Sequence, residues 1–271
     1  MSSHAIDLPR RQSFFEALAI QSRVIGAIIL RELHTRYGRD NIGYLWMIGE
    51  PMMLASVIGV LHLAQGHNVF GSDMKPLPFA VLGYTTFILF RGIVNRSEGS
   101  LENNAPLLYH RQVTVLDLAI ARALLEFCGV FLTFVVLMAL IVTLNLTHLP
   151  ARPLYLIGAW VLMFFYSFGQ SLIITAVSYE NRTFGRFVHP YSYFMVGLSG
   201  SFYQMAWLPH PYRDWLGYLP ITSIFEMARY GQFVTADLRY CYIFYLVSSC
   251  VILNWIGLVC VSRVRNKVHL A

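Results

Sequence analysis

From residue 127 to residue 151 the chain reads FCGVFLTFVVLMALIVTLNLTHLPA, 25 positions without an Asp, Glu, Lys or Arg. About 20 apolar residues in helical form cross the hydrocarbon core of a bilayer, so this stretch predicts a transmembrane helix. Charge-free intervals recur at residues 51–72, 76–90, 153–179, 187–212 and 240–262. An unpaired Arg or Asp at mid-membrane costs roughly 2.5–3.5 kcal/mol on insertion scales, which is why gaps between charges mark spans. Only 76–90 is short, and it spans if Arg91 sits at the cytoplasmic interface with its guanidinium reaching outward.

Composition agrees along the whole chain. Charged residues make up 13% of the 271 positions, hydrophobic ones 56%, and mean hydropathy is +0.55, whereas soluble domains carry about 25% charge. The expectation is an all-α membrane protein with six transmembrane helices, near residues 42–64, 77–94, 118–146, 154–178, 187–207 and 240–262. Residues 1–41 form a cytoplasmic amino-terminal region, 42–262 the six-span domain and 263–271 a cytoplasmic tail. Within the first region, Phe14, Leu18, Ile25, Ile28, Ile29 and Leu33 recur at near-helical spacing, while Arg23 interrupts the middle. An interfacial amphipathic helix lying along the leaflet follows.

The net charge of +6 does not point to nucleic acid, because the cations line the edges of apolar segments instead of clustering. With both termini inside, thirteen of the 20 Lys and Arg fall on cytoplasmic segments. Five, namely Lys75, Arg152, Arg213, Arg229 and Arg239, fall on the other side, as the positive-inside rule requires. No separate signal-peptide core precedes the first span. The four cysteines lie within apolar spans and read as small hydrophobes.

Two connections carry more than loop character. After Asn95, Arg96, Ser97 and Glu98, the chain presents the short amphipathic run Leu107, Leu108, Tyr109, His110 and Arg111 to the cytoplasm. Residues 208–239 are extramembranous by topology yet apolar and broken by Pro209, Pro211 and Pro220. There, Ser223 and Glu226 have capping-box spacing before a helical run to Gly231, which is too short to span, so a periplasmic re-entrant helix is expected. Chemistry is scarce. The two lysines, Lys75 and Lys267, do not follow a glycine, so a P-loop is impossible, and zinc-protease, C-x-x-C and G-x-S-x-G motifs are absent. No catalytic constellation supports a membrane enzyme, and no motif here calls for a cofactor.

The stretch Arg31-Glu32-Leu33-His34-Thr35-Arg36-Tyr37, then Ile42-Gly43-Tyr44-Leu45-Trp46 and Glu50-Pro51, resembles the start of type-two ABC exporter permeases. Glu50 before the proline narrows the likeness to capsular polysaccharide export permeases of Gram-negative bacteria. The segments Leu107 to Arg111, Asp117, Ile120 to Glu126 and Phe225 to Arg229 are similar to the same subfamily, although Gln112 and Val115 stand where it commonly has proline. The resemblance implies a homodimer of six-span permeases with two separate ATPase subunits that hold ATP and Mg. Its implied cargo is a lipid-linked acidic polysaccharide, handed on to periplasmic and outer-membrane export proteins.

On that reading Arg31, Arg36, Tyr37, Arg39 and Arg91 receive the anionic head group, since guanidinium pairs bidentately with phosphate or carboxylate. The same cations also satisfy ordinary topology and lipid-phosphate contacts. Tyr44, Trp46, Tyr84, Phe87 and Tyr193 are candidate channel-lining aromatics, or else belt and packing residues. Glu50 either faces a cavity or dimer seam, or neutralises an arginine such as Arg91. Leu107, Leu108, Tyr109, His110 and Arg111 are the expected ATPase-coupling segment, and Ser223, Phe225, Glu226 and Arg229 the expected periplasmic gate. Alternatives are a permease for polyprenyl-linked O-antigen or another glycolipid, and an ion-coupled secondary transporter. The latter needs repeat-related intramembrane acids, and the contexts of Glu50 and Glu126 are unrelated.

Overall fold

The computed structural model describes residues 14–37, 49, 52–53, 56–57, 74–108 and 113–268. Its regular elements are helical: α1 (Phe14–Tyr37), α2 (Pro76–Asn95), α3 (Ala105–Leu108), α4 (Val115–Thr143), α5 (Pro153–Glu180), α6 (Arg182–Gly185), α7 (Val188–Leu198), α8 (His210–Gly217), α9 (Pro220–Gln232) and α10 (Ile243–Val268). Proline opens α2, α5, α8 and α9 within their first two positions. Its missing N–H falls where a helix has no acceptor anyway, and its fixed φ suits the first turn. Helix α4 starts on a capping box: the Thr114 hydroxyl accepts from the Asp117 N–H while the Asp117 carboxylate accepts from the Thr114 N–H.

Among the described residues, α2, α4, α5 and α10 are long and apolar enough to cross a membrane. The 20 residues of α2 rise about 30 Å at 1.5 Å each, one hydrocarbon core thick. The first expected span, 42–64, lies almost wholly outside the described residues.

The fifth expected span, 187–207, is not one helix. Helix α7 has 11 residues, about 16 Å, and stops at Ser199. Gly200 then takes φ +80°, a left-handed conformation that glycine adopts without a Cβ clash. The chain continues irregularly to a 3-10 turn at Met205–Trp207. Helix α7 buries Val188, Ser192 and Met195, with Phe187 just before it and Tyr193 and Phe194 on it exposed, and Gly200 sets the break.

Helix α5 is the hub, packing against α2, α4, α9 and α10. Trp160 is fully buried and meets Phe131 at 5.3 Å and Phe134 at 4.9 Å between ring centroids. Helix α10 crosses α5 at Gly169 and Gly257. A Cβ on Gly169 would lie 2.9 Å from the backbone nitrogen of Asn254, and one on Gly257 2.9 Å from the carbonyl oxygen of Gly169. Small residues let membrane helices approach backbone to backbone. In contrast, only 17% of the α10 span is buried in this chain, leaving an apolar outer face suited to lipid or protein.

One end of the bundle, here called proximal, gathers α1, residues 96–108 and 113–114, and residues 181–187. The distal end gathers residues 74–75, 144–152 and 199–242. Helix α1 lies against α4, with Ile28 buried on Leu118 and Ala121, and the rest of it is largely exposed.

The crossing predicts that Gly169→Val lowers the melting temperature and monodisperse yield in detergent sharply, because rigid backbone opposes the new atoms. Gly26→Ala, where nothing lies within 4 Å, should be neutral or stabilising by up to about 1 kcal/mol from helix propensity. Equal melting of both variants and the parent would refute the close crossing.

Candidate functional site

At the distal end, α9 brings together residues that the sequence pairs only by spacing. Because Pro220 sits at the first turn, the helix begins three residues before Ser223, and its amino terminus has no side-chain cap. The expected Ser223–Glu226 capping box therefore does not form. The Ser223 hydroxyl is buried without a partner, and Glu226 turns inward. Its carboxylate accepts from the Met205 N–H at 3.1 Å and from Arg229 Nη1 at 3.0 Å. Both side chains are almost completely buried, at 6% and 2% exposure.

Arg229 reaches further. Its Nη2 donates to the carbonyl oxygens of Gly200 and Ser201, and its guanidinium carbon lies 4.5 Å from the Phe79 ring centre on α2. These are the carbonyls that the α7 break leaves without helical partners, so the cation supplies the donors that helix would have supplied. A Cβ on Gly83 would collide with the Ser201 carbonyl oxygen, so α2 can approach the broken segment only because that position is glycine. Phe225 is buried in the main core. The other end of α9 is fixed by Arg152, which donates to the carbonyls of Tyr230 and Phe233 and covers the Tyr230 ring at 4.0 Å.

At the proximal end, Glu32, Arg31 and Gln21 tie α1 to the bundle, and Arg96 ties the end of α2 to α4. Arg122 Nε on α4 meets the Glu32 carboxylate at 3.0 Å, and its Nη1 donates to Ser100. Arg96 pairs with Glu126. Gln21 donates to Asp117 at 2.9 Å, so the residue that caps α4 also holds the interfacial helix. Of the expected substrate residues, Arg31 belongs to this cluster, donating to the Asn104 side chain and lying 3.6 Å from Glu32. Arg36 and Tyr37 occupy the last turn of α1, with side chains outside the described residues, as Arg39, Tyr44, Trp46 and Glu50 are altogether. Arg91 stands apart on α2, its guanidinium 4.3 Å from the ring centre of Tyr193 on α7.

The expected channel aromatics divide. Tyr193 is 59% exposed, Tyr84 is half-buried at the edge of the core, and Phe87 is buried beside Phe90 as a packing residue. In the expected coupling segment, Leu107 packs partly against the cluster of Ile28, Leu118 and Ala121. Leu108 ends α3, and Tyr109, His110 and Arg111 fall outside the described residues. Beside this segment a cavity of about 200 Å³ joins the 98–102 turn to Tyr179, Arg182 and Arg186, bridged by the Arg182–Glu102 pair at 2.9 Å.

Sequence reading missed the Glu32–Arg122 and Arg96–Glu126 pairs. No local spacing signals either, as their partners lie 90 and 30 positions apart. The α4 cap was legible in Thr114-Val115-Leu116-Asp117, a T-x-x-D pattern before an apolar run.

The buried pair yields a stability prediction. Arg229→Gln should destabilise the protein by about 3–5 kcal/mol, because it strands a desolvated carboxylate. Adding Glu226→Gln should recover part of that loss, since neither charge then remains. Thermal melting of the two single variants and the double variant measures the coupling, and additive losses would show that the two side chains do not act as a pair.

Comparison with known proteins places this arrangement in a lineage. The chain is 36% identical over 259 residues to the capsule polysaccharide export inner-membrane protein CtrC of Neisseria meningitidis serogroup B, covering 96% of this chain and 97% of that one. It is 35% identical over 259 residues to the capsule polysaccharide export inner-membrane protein BexB of Haemophilus influenzae, with the same coverage. It is 29% identical over 217 residues to the polysialic acid transport protein KpsM of Escherichia coli, covering 78% and 81% of the two chains. The profile of the ABC-2 type transporter family matches residues 23–233, from α1 to just past α9. This multi-pass membrane protein belongs to the ABC-2 type transporter family.

Proposed function

We propose that the chain is the permease subunit of an ATP-driven exporter that moves a lipid-linked acidic capsular polysaccharide from the cytoplasm to the periplasm across the bacterial inner membrane. The observation that carries this is the end-to-end likeness, over 96% of the chain, to capsule polysaccharide export inner-membrane proteins. In this reading the permease works as a dimer, with two ATPase subunits supplying ATP and Mg sites, and passes polymer to periplasmic and outer-membrane export proteins. Both termini lie in the cytoplasm, so the proximal end faces the cytoplasm and the distal end the periplasm. Six spans result if the 42–64 segment and the α7-to-Trp207 segment each cross.

The proximal geometry supports this use. Leu107 of α3 packs on the same small cluster as Ile28 of α1 and Leu118 of α4, so force applied at α3 reaches both α1 and a spanning helix. In this reading Arg31, Arg36, Arg39 and Arg91 meet the anionic head group as it leaves the inner leaflet, a step that is unfavourable unless cations meet it. Helix α9 is the re-entrant element near the exit, with both ends tied to distal loops and its middle buried.

Two measurements test the reading. An ATPase should copurify with the chain, and Leu107→Glu or Leu108→Glu should uncouple hydrolysis from export. ATP hydrolysis by the purified chain alone, or full coupling in those variants, would overturn it. Arg36→Ala, Arg39→Ala and Arg91→Ala should each reduce surface polysaccharide without loss of complex, with only partial rescue by Lys, which keeps the charge and loses the fork. Normal export in all three would leave these arginines as topology markers.

Cysteines placed across residues 219–233 test the re-entrant helix. Alternating protection from an impermeant thiol reagent added outside is expected, whereas uniform labelling would mean a plain periplasmic loop.

A further inference from the structure

Between α8 and the start of α10, at the distal end, lies a cleft of about 410 Å³ lined by Arg213, Asp214, Tyr218, Tyr240, Tyr242 and Tyr245. Small-ligand sites run to about 300–1,000 Å³ and combine apolar walls with a few placed polar groups. Tyr218 is 74% exposed and Tyr242 57%, so these rings are not consumed by the core. The frame around them is fixed: Tyr245 donates its hydroxyl to the Tyr218 carbonyl at 2.7 Å. Arg213 donates to the carbonyls of Met205, Ala206 and Leu208 and to the Tyr240 hydroxyl.

Among the described residues, no carboxylate lies within ion-pair distance of Arg213, so its charge is met there by carbonyl and hydroxyl oxygens alone, with the Asp214 carboxylate elsewhere in the same cleft. The neighbouring Asp214 carboxylate meets exposed His210 at 2.9 Å. An aromatic belt for lipid would give this place rings with their charges turned outward. Here an Arg and an Asp share the cleft with the rings, and a hydrocarbon chain would desolvate both.

We infer that this cleft is a saccharide-binding site that holds an acidic sugar residue of the polymer after it has crossed the membrane. The tyrosine faces receive the C–H face of the sugar ring, their hydroxyls and Asp214 meet sugar hydroxyls, and Arg213 meets a carboxylate or phosphodiester. The inference rests on the exporter reading and adds to it a binding site on the exit side, outside the spans.

Photo-crosslinking tests it in encapsulated cells that carry the chain. A benzophenone amino acid replaces Tyr218 or Tyr242, and Trp255 on the outer face of α10 for comparison. On illumination the first two positions should give high-mass adducts of the permease that collapse on glycosidase digestion, and that vanish when polymer synthesis is deleted. Position 255 should give none. Tyr218→Ala combined with Tyr242→Ala should lower surface polysaccharide about tenfold at unchanged membrane level, from the loss of two aromatic contacts. Lipid adducts alone at 218 and 242, or none, would overturn the site even where export depends on the chain. Normal surface polysaccharide in cells deleted for the chain would instead overturn the exporter reading beneath it.

Discussion

Arg229 is a permanently charged group removed almost entirely from water, and much of the distal half is arranged around that constraint. A guanidinium can stay in such a place only with a counter-charge and acceptors for its donors. Glu226, one turn earlier on α9, supplies the charge, and the carbonyls of Gly200 and Ser201 supply acceptors. That requirement runs both ways. The α7 break frees carbonyls inside an apolar bundle, which is tolerable only where a donor reaches them. The cation and the broken helix thus stabilise each other, Gly83 permits α2 to close over them, and Phe79 covers the guanidinium face.

The proximal end is built from the same kinds of residue in a wetter setting. The Arg96 and Arg31 side chains are 39% and 43% exposed, against 2% for Arg229. Exposed pairs contribute about 0–1 kcal/mol, whereas breaking a buried one costs about 3–5 kcal/mol. The distal node is therefore a rigid joint, whereas at the proximal end the exposed Arg31 and Arg96 can exchange partners at little expense and the largely buried Glu32–Arg122 pair holds α1 to α4.

Much of this was legible in advance. Spaces between charges located α2, α4, α5 and α10 because the penalty for an uncompensated charge in lipid is read off residue by residue. Proline stands at the starts of α2 and α5, where charge-free intervals also open, because its φ and missing N–H are properties of that residue alone. The Leu107 to Arg111 segment and the apolar 208–239 connection stood out because their hydropathy conflicts with a loop. Ser223 misled for an equally local reason: capping-box spacing fits wherever a helix could start, and Pro220 had already started it.

The sequence by itself determined the membrane class, the long spans and the family, since all of these follow from local hydropathy, charge and motif. The tertiary structure alone decided that the 187–207 interval breaks at Gly200, that Glu226 and Arg229 face inward together, and that Glu32 answers Arg122 across 90 positions. A charge in a membrane protein must be neutralised, and the sequence states that demand. Which partner meets it depends on helices crossing in space, and neither periodicity nor spacing along the chain encodes that distance.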